Sequence, residues 1–425
     1  MFEPTAERRT KVFRALFDGY DGPGFSVRFW DGWTWCSSAG QKPACTIVLT
    51  HPRALRKLAV APTETTLGEA FVHGDVDVEG DLFSVFPAAE HLFNRPQPVA
   101  RRFSRKLANM AFHMGQWLRY GALNSQRRDR ASIAYHYDQP VAFFRPWLGP
   151  SLAYSCAYFR STNDPLDEAQ WQKLDLICRK LHLEPGEQFL DIGCGWGSLA
   201  LEAARREAHV HGITLSRVQA QTVQCRIEEA GCGGLCQVEL RDYRRMVETG
   251  RQFDKIASVG MYEHVGIKNL SLYFGTAFRL LKPGGLFLNH GIARASHAPV
   301  RQSSFVNRYV FPGGRLATLP ETIAAAESQG FEVRDVECLR EHYELTLRRW
   351  FEGLRQHADE LLKHVSPVTY RIWLLYTAGS AAAFRRGDVG VYQVLLSKPD
   401  RGKTQLPLTR EDVYRELVRQ EAVAV

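Results

Sequence analysis

The sequence predicts an α/β chain in which a doubly wound sheet domain follows a smaller α+β domain. Three observations carry this. From Gln188 onward, apolar runs of strand length alternate with helical segments, a glycine-rich turn follows the first of those runs, and residues 1 to about 120 show short strand-like runs without that alternation. We therefore expect a first domain over 1–125 and a second over 126–425. In the first, Ser26–Trp30 and Thr46–Leu49 read as strands, and the alternating Asp and Val of Asp75–Val78 read as a half-buried strand. The acids around them match no metal-loop spacing, so we expect no metal site. Asn124–Arg130, polar and basic, is the expected linker. In the second, Gln188–Ile192 reads as a strand, then a glycine turn and a helix through Arg205. Val210–Thr214, Lys255–Val259 and Leu286–Asn289 read as later strands, with Gln221–Ala230 and Asn269–Leu280 as intervening helices. Leu281-Lys-Pro-Gly-Gly285 reads as a helix-ending turn before the last strand.

A chain of 425 residues that is 45% hydrophobic and 24% charged is ordinary globular material with room for two full cores. No apolar signal region opens it and no run approaches the roughly 18 apolar residues of a spanning helix, so we expect neither a secreted nor an integral membrane protein. Nine scattered cysteines, with no second pair near Cys232 and Cys236, point to a reducing compartment and no structural zinc. The formal net charge of +8 is concentrated between Arg95 and Arg130, which carries nine Lys/Arg against one acid, Asp129. Within it Phe103, Leu107, Met110, Met114 and Trp117 recur at helical spacing, a basic amphipathic pattern. It suits either an anionic membrane surface or a packed helix with a solvated basic face; no nucleic-acid motif accompanies it.

The chemistry-bearing motif is Asp191-Ile-Gly193-Cys194-Gly195-Trp-Gly197, at the end of the first apolar run. Its glycines allow a tight turn and close backbone approach to a ligand, and an acid leading Asp-x-Gly-x-Gly-x-Gly favours S-adenosylmethionine over NAD. Many methyltransferases end the next strand with a ribose-binding acid. Here that place holds Thr214-Leu215-Ser216 and then Gln219, so hydroxyls and an amide must take over the polar contacts.

The Gly-x-Thr-x-Ser-x-x-Gln pattern resembles the cyclopropane fatty acid synthases and the related mycolic acid methyltransferases. Five more segments agree in order: His136-Tyr-Asp138, Tyr154-Ser155-Cys156-Ala-Tyr-Phe159, Met261-Tyr-Glu263-His264-Val-Gly266, Phe311-Pro-Gly-Gly314, and His342-Tyr343 with Thr346, Leu347 and Trp350. The resemblance covers 131 to about 395; the first domain matches longer members only loosely, through Gly68-Glu-Ala-Phe71 and Gly80-Asp-Leu82. It implies a Rossmann-like class I methyltransferase domain. Carried over residue by residue, it places the cofactor against Tyr154, Ser155, Asp191, Gly193, Cys194, Gly195, Thr214, Leu215, Ser216, Gln219, Asp242 and Tyr243. It further implies a bicarbonate ion, the catalytic base, caged by Cys156, Glu263, His290, Tyr343 and the backbone of Ile292. Tyr137, Tyr158 and Phe159 are candidate aromatic faces for a carbocation.

Such a chain would transfer a methylene unit from S-adenosylmethionine to the cis double bond of an unsaturated phospholipid acyl chain. An alkene attacking a sulfonium methyl leaves a carbocation, and loss of a methyl proton closes the ring. Three alternatives stay open: a methylene- or methyl-branched product from the same cation, an inactive lipid-binding scaffold, and an ordinary methyltransferase, which would need no such cage. Singly, Cys156, His290 and Tyr343 read equally as satisfied core residues; jointly with Glu263 they read as a site. One departure is Ser380, where many members carry a cysteine before Ala-Phe-Arg; a thiol mechanism there is excluded, and we expect Ser380 to serve helix packing. The implied partner is lipid in an anionic membrane, approached from the cytoplasm at the inner face, with no nucleic acid. Docking and homodimerisation are both open roles for the first domain.

Overall fold

The computed structural model describes residues 6–38, 42–55, 63–94, 139–298, 305–311, 315–404 and 406–414. The expected boundary at 125/126, the linker Asn124–Arg130, the basic segment 95–130, Tyr137 and Pro312–Gly314 lie outside them.

Contacts divide the chain into two compact units that interleave in sequence: Met1–Trp147 with His297–Gly314 and Leu347–Asp388, and Leu148–Ser296 with Arg315–Thr346 and Val389–Val425. The first contains a four-stranded sheet ordered β2-β1-β3-β4, with β1 Phe25–Arg28, β2 Thr34–Cys36, β3 Cys45–Leu49 and β4 Val76–Gly80. β1 and β3 run parallel; the other pairs are antiparallel. Phe13, Phe25, Val27, Phe29, Trp35 and Leu49 form its core. Each such side chain, taken fully from water, contributes about 1.5–3 kcal/mol. The long helix Pro367–Arg386 belongs to this unit, started by Ser366 with Pro367 behind it and stopped by Gly387 at φ +77°. Its Arg371 donates to the Phe71 carbonyl at 2.7 Å and lies 4.2 Å over the Phe71 ring. Trp373 packs edge-on against Phe143, and Trp350 against Trp147. Late helices thus share an apolar core with the first hundred residues. Ser380 is half-buried within the long helix.

The second unit holds a seven-stranded sheet ordered β10-β11-β9-β8-β5-β6-β7. Its strands are β5 Gln188–Ile192, β6 His209–Thr214, β7 Cys236–Leu240, β8 Phe253–Val259, β9 Leu281–Arg294, β10 Glu332–Cys338 and β11 Val389–Ser397. β11 alone runs against the rest. Side chains alternate between two covered faces: Phe189 and Leu288 pack with Ile177, Leu199 and Val223 on one, Leu190 and Phe287 with Tyr273, Phe274 and Leu280 on the other. Both faces are buried, so the inner strands carry apolar residues on both, as Phe189 and Leu190 do on β5. Chain order reverses between β5 and β8, which makes the carboxyl ends of these strands the expected ligand position.

The expected strand over 188–192 is matched to the residue, and the other expected strands and helices fall within a few residues of those observed. The expected turn at Leu281–Gly285 is instead part of β9, whose register against β8 shifts after Phe253↔Leu281. Gly284, at φ +80° and donating to the Lys398 carbonyl, absorbs the irregularity as a bulge.

Candidate active site

β5 delivers Asp191 to its carboxyl end, and the loop after it folds back onto β6: the Gly193 and Cys194 N–H groups both donate to the Ile213 carbonyl, at 2.9 and 3.0 Å. Gly193 sits at φ +79°, and a Cβ there would lie 2.8 Å from Met261 Cγ, so the turn and the close approach of the β8 end both require glycine. Gly195 is also left-handed, at φ +54°. At the end of β6, Thr214 Oγ1 donates to Gln219 Oε1 at 2.7 Å and accepts from the Ser216 N–H at 3.2 Å, while Ser216 caps the helix Arg217–Glu229. Leu215 is half-buried between them. These hydroxyls and the amide are thus held in one network by the protein itself. Asp242, after β7, caps the turn over Tyr243–Thr249 and is gripped by Arg244 through two charge-assisted bonds of 2.9 and 2.7 Å. Tyr243 is buried edge-on against Tyr273.

A second cluster is buried beneath these loops. The half-buried Tyr154 leads into Ser155 and Cys156, both buried. From the helix Leu166–Lys180, the Gln170 amide donates to the Ala153 and Ser155 carbonyls, and Lys173 Nζ donates to Ser155 Oγ at 3.0 Å. Lys173 is only 2% exposed; burial pulls its ammonium down to about 8, against the attraction of Cys156 and Asp191. Burial pushes Asp191 up to about 7 although Lys173 opposes it, and Asp191 Oδ2 has no hydrogen-bond partner among the described residues. The Cys156 thiol is pushed far above its ordinary value by burial and donates to the Ala157 carbonyl at 3.2 Å, so it is a neutral thiol. Its sulfur lies 3.7 Å from the Leu339 carbonyl, which also accepts the Tyr343 N–H. Tyr343 is itself buried.

Glu263 reaches β9 from the short turn Tyr262–His264. Its Oε1 accepts the Ile292 N–H at 2.7 Å; its Oε2 is buried without a hydrogen-bond partner among the described residues, and burial pushes the carboxyl up to about 7. The Ile292 carbonyl accepts from the Tyr262 hydroxyl at 2.9 Å and keeps a second lone pair. Gly291 permits this approach, since a Cβ there would run into the Tyr262 ring and lie 3.1 Å from Glu263 Oε1. His290 is 1% exposed and held neutral: burial first, then the charges of Lys173 and Lys180, push it down to about 3. Its Nε2 has no hydrogen-bond partner among the described residues. The His290 carbonyl accepts the Gly260 N–H at 2.8 Å, and a Cβ on Gly260 would lie 3.9 Å from that of Ser155, which ties the two clusters together.

Of the candidate aromatic faces, Tyr158 stacks on His342 at 4.7 Å, and Phe159 packs with Ala157 and Ala169. Sequence reading missed Gln170, Lys173, Arg244 and the buried Gln393 of β11, which faces His290 across the β9–β11 pair. Lys173 lies on an amphipathic helix whose exposed face also carries charges, so only tertiary burial distinguishes it.

The family model described as mycolic acid cyclopropane synthetase matches residues 124–394, and a model described as a domain of unknown function matches 12–93. A probable fatty acid methyltransferase of Pseudomonas putida is 40% identical over 402 residues, covering 92% of this chain and 96% of the relative. The cyclopropane-fatty-acyl-phospholipid synthase of Escherichia coli K12 is 38% identical over 279 residues, covering 65% and 70%. Among solved structures, the cyclopropane synthase MmaA2 from Mycobacterium tuberculosis aligns with a TM-score of 0.60 at 32% identity, over 63% of this chain and 98% of that one. The mycolic acid cyclopropane synthase CmaA1 complexed with SAH and CTAB aligns at 0.59 and 33%, over 63% and 97%. The seven-stranded sheet, the loop at its switch point and these relatives agree: the chain belongs to the mycolic acid cyclopropane synthetase family and is an S-adenosylmethionine-dependent methyltransferase of the cyclopropane fatty acid synthase type.

Proposed function

We propose that this enzyme transfers a methylene unit from S-adenosylmethionine to the cis double bond of an unsaturated phospholipid acyl chain, closing a cyclopropane ring. The observation that carries the proposal is a pair of sealed polar atoms without partners among the described residues, Glu263 Oε2 and His290 Nε2, on residues joined through β9. Orphaned buried groups cost ~1–3 kcal/mol each, so their retention fits a small polar guest. Bicarbonate fits that donor set, held by Cys156, Glu263, His290, Tyr343 and the remaining lone pair of the Ile292 carbonyl, and would supply the base for the proton lost at ring closure. When bound, S-adenosylmethionine supplies a methyl group made electrophilic by its sulfonium.

The chain's own residues have three tasks. Tyr154, Ser155, Gly193–Gly195, the Thr214–Ser216–Gln219 network and the Asp242–Tyr243 turn hold the cofactor, with the orphaned Asp191 oxygen available to a donor on it. Glu263 and His290 are kept short of full charge by burial, which lets them orient a guest anion without competing for its proton. The buried walls keep water from the carbocation.

A methylene- or methyl-branched product is the second reading, favoured by one observation: the relatives from Pseudomonas putida and Mycobacterium tuberculosis that span most of this chain, 92% and 88%, are named probable fatty acid methyltransferases. The test is incubation with S-adenosylmethionine and mixed unsaturated phospholipids, with products identified by mass spectrometry and proton NMR. High-field cyclopropane protons that vanish in Glu263→Ala support ring closure; one added carbon without them supports branching.

We also infer peripheral action at the inner, cytoplasmic face of an anionic membrane. No helix among the described residues is long and apolar enough to cross a membrane, and the basic segment supplies the charge. Replacing Arg101, Arg102, Arg105 and Lys106 by Gln is expected to weaken binding to anionic vesicles; unchanged binding refutes docking through them. Homodimerisation of the first domain is the competing role for it.

A further inference from the structure

β11 is an apolar strand, with Val391, Val394, Leu395 and Leu396 buried along it, yet position 393 is glutamine with no exposed surface. Burying an amide there costs ~1–3 kcal/mol unless its polar atoms are used. Gln393 stands directly opposite His290 in the antiparallel β9–β11 register, and its Nε2 lies 3.2 Å from His290 Nδ1. Gln393 Oε1, like His290 Nε2, has no hydrogen-bond partner among the described residues. The pair is therefore spent on a single mutual contact.

A contact between an amide nitrogen and a ring nitrogen needs one donor and one acceptor. With the amide in this orientation its nitrogen donates, so Nδ1 accepts and carries no proton. A neutral imidazole has one proton, which then sits on Nε2. The nearby charges of Lys173 and Lys180 add to burial in disfavouring imidazolium, so the neutral ring is the species to be oriented. Aspartate or glutamate at 393 would do the reverse, since a carboxylate only accepts and would draw the proton to Nδ1.

We propose that Gln393 is a positioning residue for this site: its amide holds His290 in the Nε2–H tautomer, so that the imidazole presents a donor to an anionic guest rather than a lone pair. This rests on the reading that His290 faces the anion of the one-carbon chemistry. Gln393 touches neither substrate nor cofactor and acts only through the ring.

The experiment uses full-length protein labelled with 15N at histidine and free of ligands. Long-range 1H–15N correlation spectra separate the two tautomers and imidazolium by their nitrogen shifts, and His290 is assigned by the signals lost in His290→Gln. Wild type is expected to show the Nε2–H form. Gln393→Glu is expected to move the proton to Nδ1 or give imidazolium, and to lower kcat on unsaturated phospholipid by at least ~10-fold while S-adenosylmethionine affinity stays within about twofold. Gln393→Met, apolar and of similar volume, keeps the test alive if the glutamate variant does not fold; it is expected to give a tautomer mixture and an intermediate kcat. An Nδ1–H tautomer in wild type overturns the proposal, as does either variant changing the tautomer without changing kcat. The spectra need no turnover. If wild type makes no lipid product, the proposed function fails while the tautomer result still decides the Gln393–His290 relation.

Discussion

Replacing Glu263 by glutamine keeps its shape and the acceptor for the Ile292 N–H but removes its titration. The buried carboxyl is raised from 4.5 to about 7 in the folded chain. A raised carboxyl stabilises the fold only while protonated. Its contribution is complete below the unfolded value of 4.5 and is lost as pH rises through about 7, because a charge must then be carried in a sealed position. At ~1.36 kcal/mol for each pH unit, the loss approaches about 3 kcal/mol. Between pH 5 and 8.5, Glu263→Gln is thus expected to gain on wild type up to about pH 7, to level off above it, and to be the more stable protein at the alkaline end. Asp191, also raised by burial, is present in both proteins and cancels in the difference. The assay is urea unfolding of both proteins, followed by tryptophan emission and far-ultraviolet circular dichroism, with coincident curves required before a single free energy is taken. A stability difference that stays flat across this range, or one that favours wild type increasingly at high pH, refutes the claim that Glu263 is sealed without a charge partner.

Other perturbations test separate parts of the site. Gly291→Ala drives a methyl into the Tyr262 ring and toward Glu263, and is expected to cost about 1–3 kcal/mol in thermal unfolding and to remove lipid product even in the folded fraction. Gly193→Ala strains a left-handed turn and crowds Met261; calorimetric titration is expected to show S-adenosylmethionine affinity reduced at least ~10-fold, a strain of about 1–2 kcal/mol. Thr318→Ala breaks the capping box with Glu321 at the helix Leu319–Glu327, and is expected to lower unfolding free energy by ~1 kcal/mol while S-adenosylmethionine affinity is unchanged.

Much of the second unit was legible because local pattern and tertiary role coincide there. Strand β5 buries Phe189, Leu190 and Ile192 on its two faces, and the glycines after it answer to backbone geometry that any occupant of the turn must satisfy. Glu263, His290 and Ile292 could be named from motifs, and residue type alone states what each can donate or accept. The sequence determined these elements, the cofactor class and the candidate chemistry. It left open which protonation states those groups carry. Burial sets them, as for Asp191, Glu263 and His290, and burial is a sum over neighbours remote in the chain. Lys173 and Gln393 escaped notice for the same reason: a lysine on an amphipathic helix and a glutamine in a late strand carry no local mark, and gain meaning only when β9, β11 and the helix Leu166–Lys180 converge. The division into units was likewise decided by tertiary structure. The helix Pro367–Arg386 follows the catalytic motifs in sequence, yet Arg371 and its apolar neighbours pack on Phe71 and Val72, because side chains bury against whichever complementary surface the folded chain presents, whatever its distance in sequence.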